Sequence, residues 1–431
     1  MFAEYGHLLR HNANYRYLWY GYVVSQLGDW FNLIASAALI TRVTSAGTAL
    51  SYLFLARFLP QFVFSPFAGM LSDQYDRRKV MIVSDILRAI TVLGFLLVRE
   101  PSQIWLFYLL TILQFVLSAL FVPARSAVLA NIVSRKELVA ANALDSVTWS
   151  TMLAVGAMLG GVATAVFGIE TAFILDALTF ILSAWLIARI KLPVDLNAPV
   201  VERGYGWLEM IGGVQYLRLE PILFGVVLAK AGGALVWGAI NVLEVNYAKQ
   251  IFPLPIFPGV EGDVLTLAII YALSGVGTGL GPILVRHWLG DMTPQMLWGI
   301  ALGFGLLAAG ILALAVAPTL SLFLVATLFR TVGSGVLWVF SAALLQSVVP
   351  DKVRGRVFAF EFALLTLTQS ISIYWAGAAQ DWLGWDVRLV TLSMGGLGTA
   401  VALLWLIFVW QVRHKPFVVM ANSPPFLTVI K

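Results

Sequence analysis

Asp29 and Arg57 are charged residues set in otherwise apolar runs, Asp29 within residues 15–42 and Arg57 within 48–71. A charge at mid-membrane depth costs roughly 2.5–3.5 kcal/mol on insertion scales, so such residues are kept for pairing or for function. Asp29 stands near the centre of its run, and Arg57 about three residues outward of its own centre, roughly 4–5 Å at the helical rise. The two are therefore expected to pair. A carboxylate whose arginine partner moves away and returns takes up and releases a proton in each cycle. A permanent structural ion pair accounts for the same residues, and both readings stay open.

Polar residues accompany these charges at helical spacing. Tyr22, Gln26, Asp29, Asn32 and Ser36 follow one another at steps of four, three, three and four, which places them on one helical face. Comparable stripes are Thr111, Gln114, Ser118 and Arg125; Lys230, Trp237, Asn241 and Glu244; and Thr327, Thr331, Ser334, Trp338 and Ser341. Asp176, Lys230, Glu244, Arg330 and Glu361 are further charges in or near apolar runs, with Glu244 a third candidate beside Asp29 and Arg57 for proton coupling. Hydrogen bonding between helices is the plain alternative for every stripe.

Other chemistries find no residues. With no cysteine, disulfides, thiolate catalysis and cysteine-ligated metals are excluded. The four histidines, His7, His11, His287 and His414, lie in polar ends or short loops, so no metal site or histidine relay is expected. A Gly-rich loop before Lys-Ser/Thr is absent, which argues against ATP drive. No histidine–carboxylate cluster or nucleophile motif marks an enzyme, and no cofactor is expected. The net charge of +5 is spread over short loops rather than one face, so nucleic acid is not a partner.

The elements that must carry these residues follow from composition. Of 431 residues 60% are hydrophobic and 11% charged, and the mean hydropathy is +0.89. A spanning helix needs roughly 20 mostly apolar residues, so the chain is a polytopic α-helical membrane protein. Runs of this length also argue against an outer-membrane barrel. Spans are expected at 15–42, 48–71, 80–98, 102–130, 137–167 and 170–190, then at 219–249, 264–286, 294–317, 319–349, 357–381 and 387–411. Residues 1–14 are too polar for a cleaved signal sequence. Sorting the 27 lysines and arginines by alternate connections gives 20 on one side, Arg88 among them, against four on the other, with Arg57, Lys230 and Arg330 inside spans. The basic side is expected to be cytoplasmic, with both termini there.

Residues 191–218, carrying Pro193, Pro199, Gly204 and Gly206 among charges, read as a cytoplasmic linker between two six-helix bundles, 1–190 and 219–431. "VSRKEL" from Val133 and "VPDKVR" from Val349 echo each other 216 residues apart, close to half the chain, as an internal duplication requires.

The connection after the second span reads "GMLSDQYDRRK", Gly69 to Lys79. It resembles the signature loop of the major facilitator superfamily, Gly-x-Leu-Ala-Asp-Arg-x-Gly-Arg-Arg/Lys: Gly69, Leu71, Asp73, Arg77 and Arg78 match, while Ser72, Gln74 and Asp76 depart. "SQLGDWF", "PARSAVLANIV" and "VPDKVRGRVFAF" are similar to the branch of drug and siderophore exporters that includes enterobactin and macrolide efflux proteins. The resemblance covers essentially the whole chain. It implies the major facilitator fold, twelve helices in two pseudo-symmetric bundles, and rocker-switch alternating access. Gly69, Asp73, Arg77 and Arg78 would form a conformational latch, for which a carboxylate beside arginines at a helix end is suited; the same basic residues serve equally to fix topology. "GAMLGG", Gly156 to Gly161, is similar to an antiporter element with Ala157 in place of its proline, and close helix packing is the alternative.

In that superfamily the first and fourth helices of each half line the central cavity. Substrate contacts are accordingly expected at Tyr22, Gln26, Asn32, Gln114, Arg125, Lys230, Trp237, Asn241, Arg330, Ser334 and Trp338. The expected function is secondary active export of an amphipathic organic compound by proton antiport, from the plasma (inner) membrane and by a monomer. A lysophospholipid or lipid flippase of the same fold is the alternative, which a basic headgroup site at Lys230 or Arg330 would favour. A non-transporting receptor or a membrane enzyme is more remote. The 15 tryptophans suit either a cavity lining or interfacial belts.

Overall fold

The computed structural model describes residues 2–44, 46–191, 206–254, 262–290 and 292–413, and every regular element among them is a helix. Long apolar runs in a bilayer have no water for their backbone N–H and C=O groups, and a helix satisfies those groups within the run. Eleven helices among the described residues are long and apolar enough to cross a membrane. Gly47–Gln74, 28 residues long, makes the twelfth.

The first half holds span one (Ala13–Val43), span two (Gly47–Gln74), span three (Arg77–Gly94), span four (Ile104–Ile132), span five and span six (Ile169–Ala188). Span five is Arg135–Thr151 and Ala157–Phe167, joined by a π-helical turn at Met152–Gly156. The second half holds span seven (Pro221–Asn246, continued by a π turn at Tyr247–Ile251), span eight (Gly262–Leu289), span nine (Thr293–Val316), span ten (Leu320–Val348), span eleven (Asp351–Leu383) and span twelve (Val387–Val412). A short helix, Phe2–His11, precedes span one and buries Leu8 while Arg10 and His11 stay exposed. The end of the bundle next to it is proximal and the opposite end distal.

Helix ends follow local chemistry. Asn12 caps span one by accepting from Tyr15 N at 3.0 Å, and Ser134 and Glu137 form a reciprocal capping box at the start of span five. Asp76, which departs from the signature loop, caps span three by accepting from Arg78 N at 2.9 Å. Gly168, at φ 88°, turns the chain between spans five and six, a backbone conformation that a residue with a Cβ resists.

The packing is duplicated. In the first half span one packs on five and six, three on four and six, and two on four. In the second half seven packs on eleven and twelve, nine on ten and twelve, and eight on ten. Each pair in one half thus has its counterpart six spans later. The seam between halves is made mainly by span two with eleven and span five with eight, again a symmetric pair of contacts. Tryptophans at the ends of spans are exposed, Trp105 and Trp382 distally and Trp185, Trp288 and Trp410 proximally, which is the placement of interfacial anchors.

One expectation changes. Arg88, assigned from sequence to the proximal loops, lies inside span three and is 2% exposed, because Asp85 one turn earlier pairs with it. Within the expected linker 191–218, residues 192–205 lie outside the described residues, and Gly206–Leu219 is a helix packed on span eleven, where Gly213 meets the backbone of Arg356.

Candidate functional site

The polar stripe of span one bonds largely along itself. Gln26 Nε2 donates to the Tyr22 hydroxyl at 3.2 Å, and Ser36 Oγ to Asn32 Oδ1 at 3.4 Å. Arg57 does not form the expected ion pair with Asp29. Its guanidinium donates to Asn32 Oδ1 at 3.1 Å and lies 4.5 Å above the Phe115 ring, so Asn32 and an aromatic face take the place of a carboxylate. Asp29 makes no hydrogen bond or ion pair among the described residues; Arg88 and Arg57 supply the positive field around it.

Sequence reasoning named Asp29, Asn32, Arg57 and Asp176 of this cluster but missed Asp85 and placed Arg88 in a loop. The Asp85–Arg88 ion pair is buried between spans three and six, with the Arg88 guanidinium 4.3 Å from the Phe180 ring and 4.5 Å from that of Phe121. Asp176 on span six is fully buried with both carboxylate oxygens unpartnered, and the unpartnered Nδ2 of Asn32 is a neighbouring donor. It reaches the backbone of span one because residue 28 is glycine: a Cβ there would sit 2.5 Å from Asp176 Oδ1 and 1.9 Å from Thr179 Oγ1. Three carboxylates, Asp29, Asp85 and Asp176, thus share two guanidinium groups. The missed signal was an acid and an arginine three apart in an apolar run, which is an intrahelical pair and not a loop.

The second half pairs its charges directly. Glu244 on span seven holds Arg330 on span ten, and Arg330 also reaches Ser274 Oγ at 3.4 Å. Lys230 Nζ on span seven lies 3.0 Å from Glu361 Oε1 on span eleven and 4.0 Å from the centroid of the Trp338 ring on span ten. Lys230 and Arg330, the residues that a basic headgroup site would use, thus each have a carboxylate partner. Asn241 Nδ2 donates to Gly238 O at 3.1 Å, Ser334 Oγ to Thr331 O at 3.1 Å, and Trp237 lies over Gly233 of its own helix. Gln114, at the position of the first half that is 216 residues before Arg330, is 1% exposed with both amide atoms unpartnered. Arg125 on span four pairs with Asp145 on span five at 2.8 Å and stacks over Tyr22 at 4.0 Å.

At the distal end the halves are joined by charges placed on helix ends. Asp381, closing span eleven, accepts from Gly47 N (2.8 Å), Thr48 N (2.8 Å) and Thr48 Oγ1 (2.6 Å) at the start of span two. Lys249, closing span seven, donates to the Thr41 carbonyl at the end of span one. An anion thus meets the positive end of one helix and a cation the negative end of its neighbour. Below them Ser51 Oγ donates to Ile373 O at 2.7 Å, and a Cβ at Gly377 would lie 2.4 Å from Ser51 Oγ. The expected latch is at the proximal end. Gly69 and Asp73 have side-chain positions outside the described residues. Arg78 donates to Ile190 O at 2.7 Å, within its own half, and Arg77 begins span three. "GAMLGG" packs closely: Gly156 meets Trp30 and Gly161 meets Ala268 of span eight, where a Cβ would be 2.1 Å away.

A profile of the Major Facilitator Superfamily matches residues 18–360. The chain belongs to the Major Facilitator Superfamily. Similar facilitators include an uncharacterized MFS-type transporter, YfiS, of Bacillus subtilis (strain 168), 28% identical over 89% of this chain and 90% of that one. A putative bacilysin exporter, BacE, from the same strain is 25% identical over 83% and 86%. Macrolide efflux protein A of Streptococcus pyogenes is 24% identical over 85% and 89%. In fold the chain is similar to the nucleoside transporter NupG, with a TM-score of 0.69, 11% identity, and 93% and 99% of the two chains covered. A bacterial homologue of the transporter Spinster, solved inward-facing and unoccupied, gives a TM-score of 0.66 at 12% identity over 92% and 95%. This facilitator is a multi-pass membrane transporter with efflux-type relatives.

Proposed function

We propose that the chain is a secondary active exporter of an amphipathic organic compound, driven by proton antiport and working by alternating access in the plasma membrane, with both termini cytoplasmic. The observation that carries this is intramembrane charge that joins helices: Arg125 on span four pairs with Asp145 on span five, Lys230 on span seven with Glu361 on span eleven, and Arg330 on span ten with Glu244 on span seven, so that spans four, seven and ten hold ions beside spans that form the seam between halves. Two relatives named as an exporter and an efflux protein support the direction. The basic asymmetry of the loops supports the orientation even with Arg88 removed from it.

Under this orientation the distal clamp of Asp381 and Lys249 closes the outer side. Outward opening breaks the clamp, and Asp73 with Arg77 and Arg78 would then hold the proximal end. Among the three coupling candidates, Glu244 is engaged by Arg330 and Arg57 carries no proton to exchange, which leaves Asp29, like Asp176 a carboxylate without a direct partner. Asp29 takes a proton from the outer side and releases it inward as the halves rock.

The test is a reconstituted vesicle carrying an imposed pH gradient, with transport read for a panel of amphipathic dyes. Asp29→Asn is expected to abolish gradient-driven movement while dye binding persists, because the amide mimics the protonated acid. Unchanged gradient-driven transport by a stable Asp29→Asn protein overturns the assignment of Asp29, and wild-type protein that moves no dye along any gradient overturns the exporter reading itself.

A further inference from the structure

Asp145 and Glu361 are 216 residues apart, the offset that separates the duplicated loops at Val133 and Val349. Each lies at the same place in its half, and each holds a cation that stacks on an aromatic ring. In the first half the set is Asp145, Arg125 and Tyr22; in the second it is Glu361, Lys230 and Trp338. The roles are permuted between the helices: the aromatic residue is on the first span and the cation on the fourth in one half, and the reverse in the other. A duplicated sequence has thus kept the trio of carboxylate, cation and aromatic face while exchanging the helices that supply two of its members.

A carboxylate beside an aromatic face is the ordinary recognition site for an organic cation, since the ring quadrupole and the anion attract the same charge. Here the Lys230 ammonium occupies that position, 3.0 Å from Glu361 Oε1 and 4.0 Å from the Trp338 centroid. Lys230 and Glu361 expose 6% and 3% of their side chains, so Glu361 without a cation would be an uncompensated buried charge. Trp338, by contrast, keeps 42% of its surface exposed. Lysine is a point charge on a flexible four-carbon stem and can withdraw along it, whereas the planar Arg125 guanidinium is the more fixed of the two cations.

From this arrangement we infer that Glu361 and Trp338 form an organic-cation subsite whose built-in occupant is Lys230, and that a cationic amphipathic substrate binds by displacing the Lys230 ammonium. The carboxylate then has a cation in every state: the substrate when loaded, Lys230 when empty. The Asp145, Arg125 and Tyr22 set is its pseudo-symmetric partner, with a less readily displaced occupant. The inference rests on the exporter reading above and narrows its substrate to cations.

The competition has a sign that a purely structural ion pair lacks. Full-length protein in lipid nanodiscs is titrated with tetraphenylphosphonium and with tetraphenylborate, ions of nearly the same shape and opposite charge. Wild-type protein is expected to prefer the phosphonium. Lys230→Met removes the competitor and is expected to tighten phosphonium binding about tenfold, while Glu361→Gln weakens it at least about tenfold, alone or combined with Lys230→Met. Weaker or unchanged phosphonium binding by folded Lys230→Met protein overturns the inference. So does a wild-type preference for the borate that disappears in Lys230→Met, which would make Lys230 an anion site. Should Lys230→Met not fold, Glu361→Gln against wild type decides alone: equal affinities overturn the subsite. Gradient-driven export of a neutral dye by protein that fails these binding tests would keep the exporter reading and remove only this inference.

Discussion

Four intramembrane or near-membrane ion pairs, Asp85–Arg88, Arg125–Asp145, Lys230–Glu361 and Glu244–Arg330, are present among the described residues. Removing one member of a buried pair leaves the other charged and without compensation, at a cost of about 3–5 kcal/mol, whereas removing both is close to neutral. Arg88→Met is therefore expected to lower the unfolding midpoint strongly, and Asp85→Asn with Arg88→Met to recover most of it. Thermal unfolding in detergent measures both, and a single variant as stable as wild type would show that the pair is not buried in this way. At this scale the sequence was partly legible. Asp29, Arg57, Lys230, Glu244 and Arg330 stood out because charge is costly in an apolar run. Their pairings did not: helical spacing says which residues share a face, not which neighbouring helix that face meets. Arg57 consequently meets Asn32 and Phe115 instead of Asp29, and Asp85 and Asp176 join through packing that only the fold supplies.

At the scale of helices, the distal contacts are a clamp made of complementary helix ends. Charge-assisted bonds of this kind are stronger than neutral ones, and a carboxylate at a helix N-terminus gains further from the helix dipole. Asp381→Ala and Lys249→Met are each expected to shift the protein toward the distally open state. A cysteine at Ala38, in the crevice between spans one, seven and eight lined by Ile34, Val245 and Leu267, should then react about tenfold faster with a water-soluble thiol reagent. An unaltered rate in both variants would show that the clamp does not hold this end closed. Gly377→Leu should act in the same direction by a different cause, since a side chain there collides with Ser51 and Thr48 of span two. The glycines of "GAMLGG" were readable as packing residues, and they do pack on spans one and eight. The π turn at Met152–Gly156 was not readable, because an extra residue in a turn leaves the apolar pattern nearly unchanged.

For the whole molecule, twelve spans in two like halves followed from run length, basic asymmetry and the 216-residue echo, since each depends on the bilayer and on duplication rather than on side-chain detail. The helix Gly206–Leu219 escaped notice because its position among prolines, glycines and charges looked like linker. Orientation is open to direct labelling, because the native chain contains no cysteine. In intact cells Ser102→Cys is expected to react with a membrane-impermeant thiol reagent and Ala13→Cys is not; the reverse pattern would invert the topology.

The two ends of the seam are proposed to open in alternation, and the same cysteine-free background allows a direct measurement. Spin labels at Ser102 and Pro318 report the distal separation of the halves, and labels at Ala13 and His287 the proximal one, by pulsed electron resonance in nanodiscs. With Asp381→Ala introduced to release the clamp, the distal distance is expected to lengthen while the proximal distance shortens. Distances that remain fixed, or that lengthen together at both ends, would contradict alternating access by this chain.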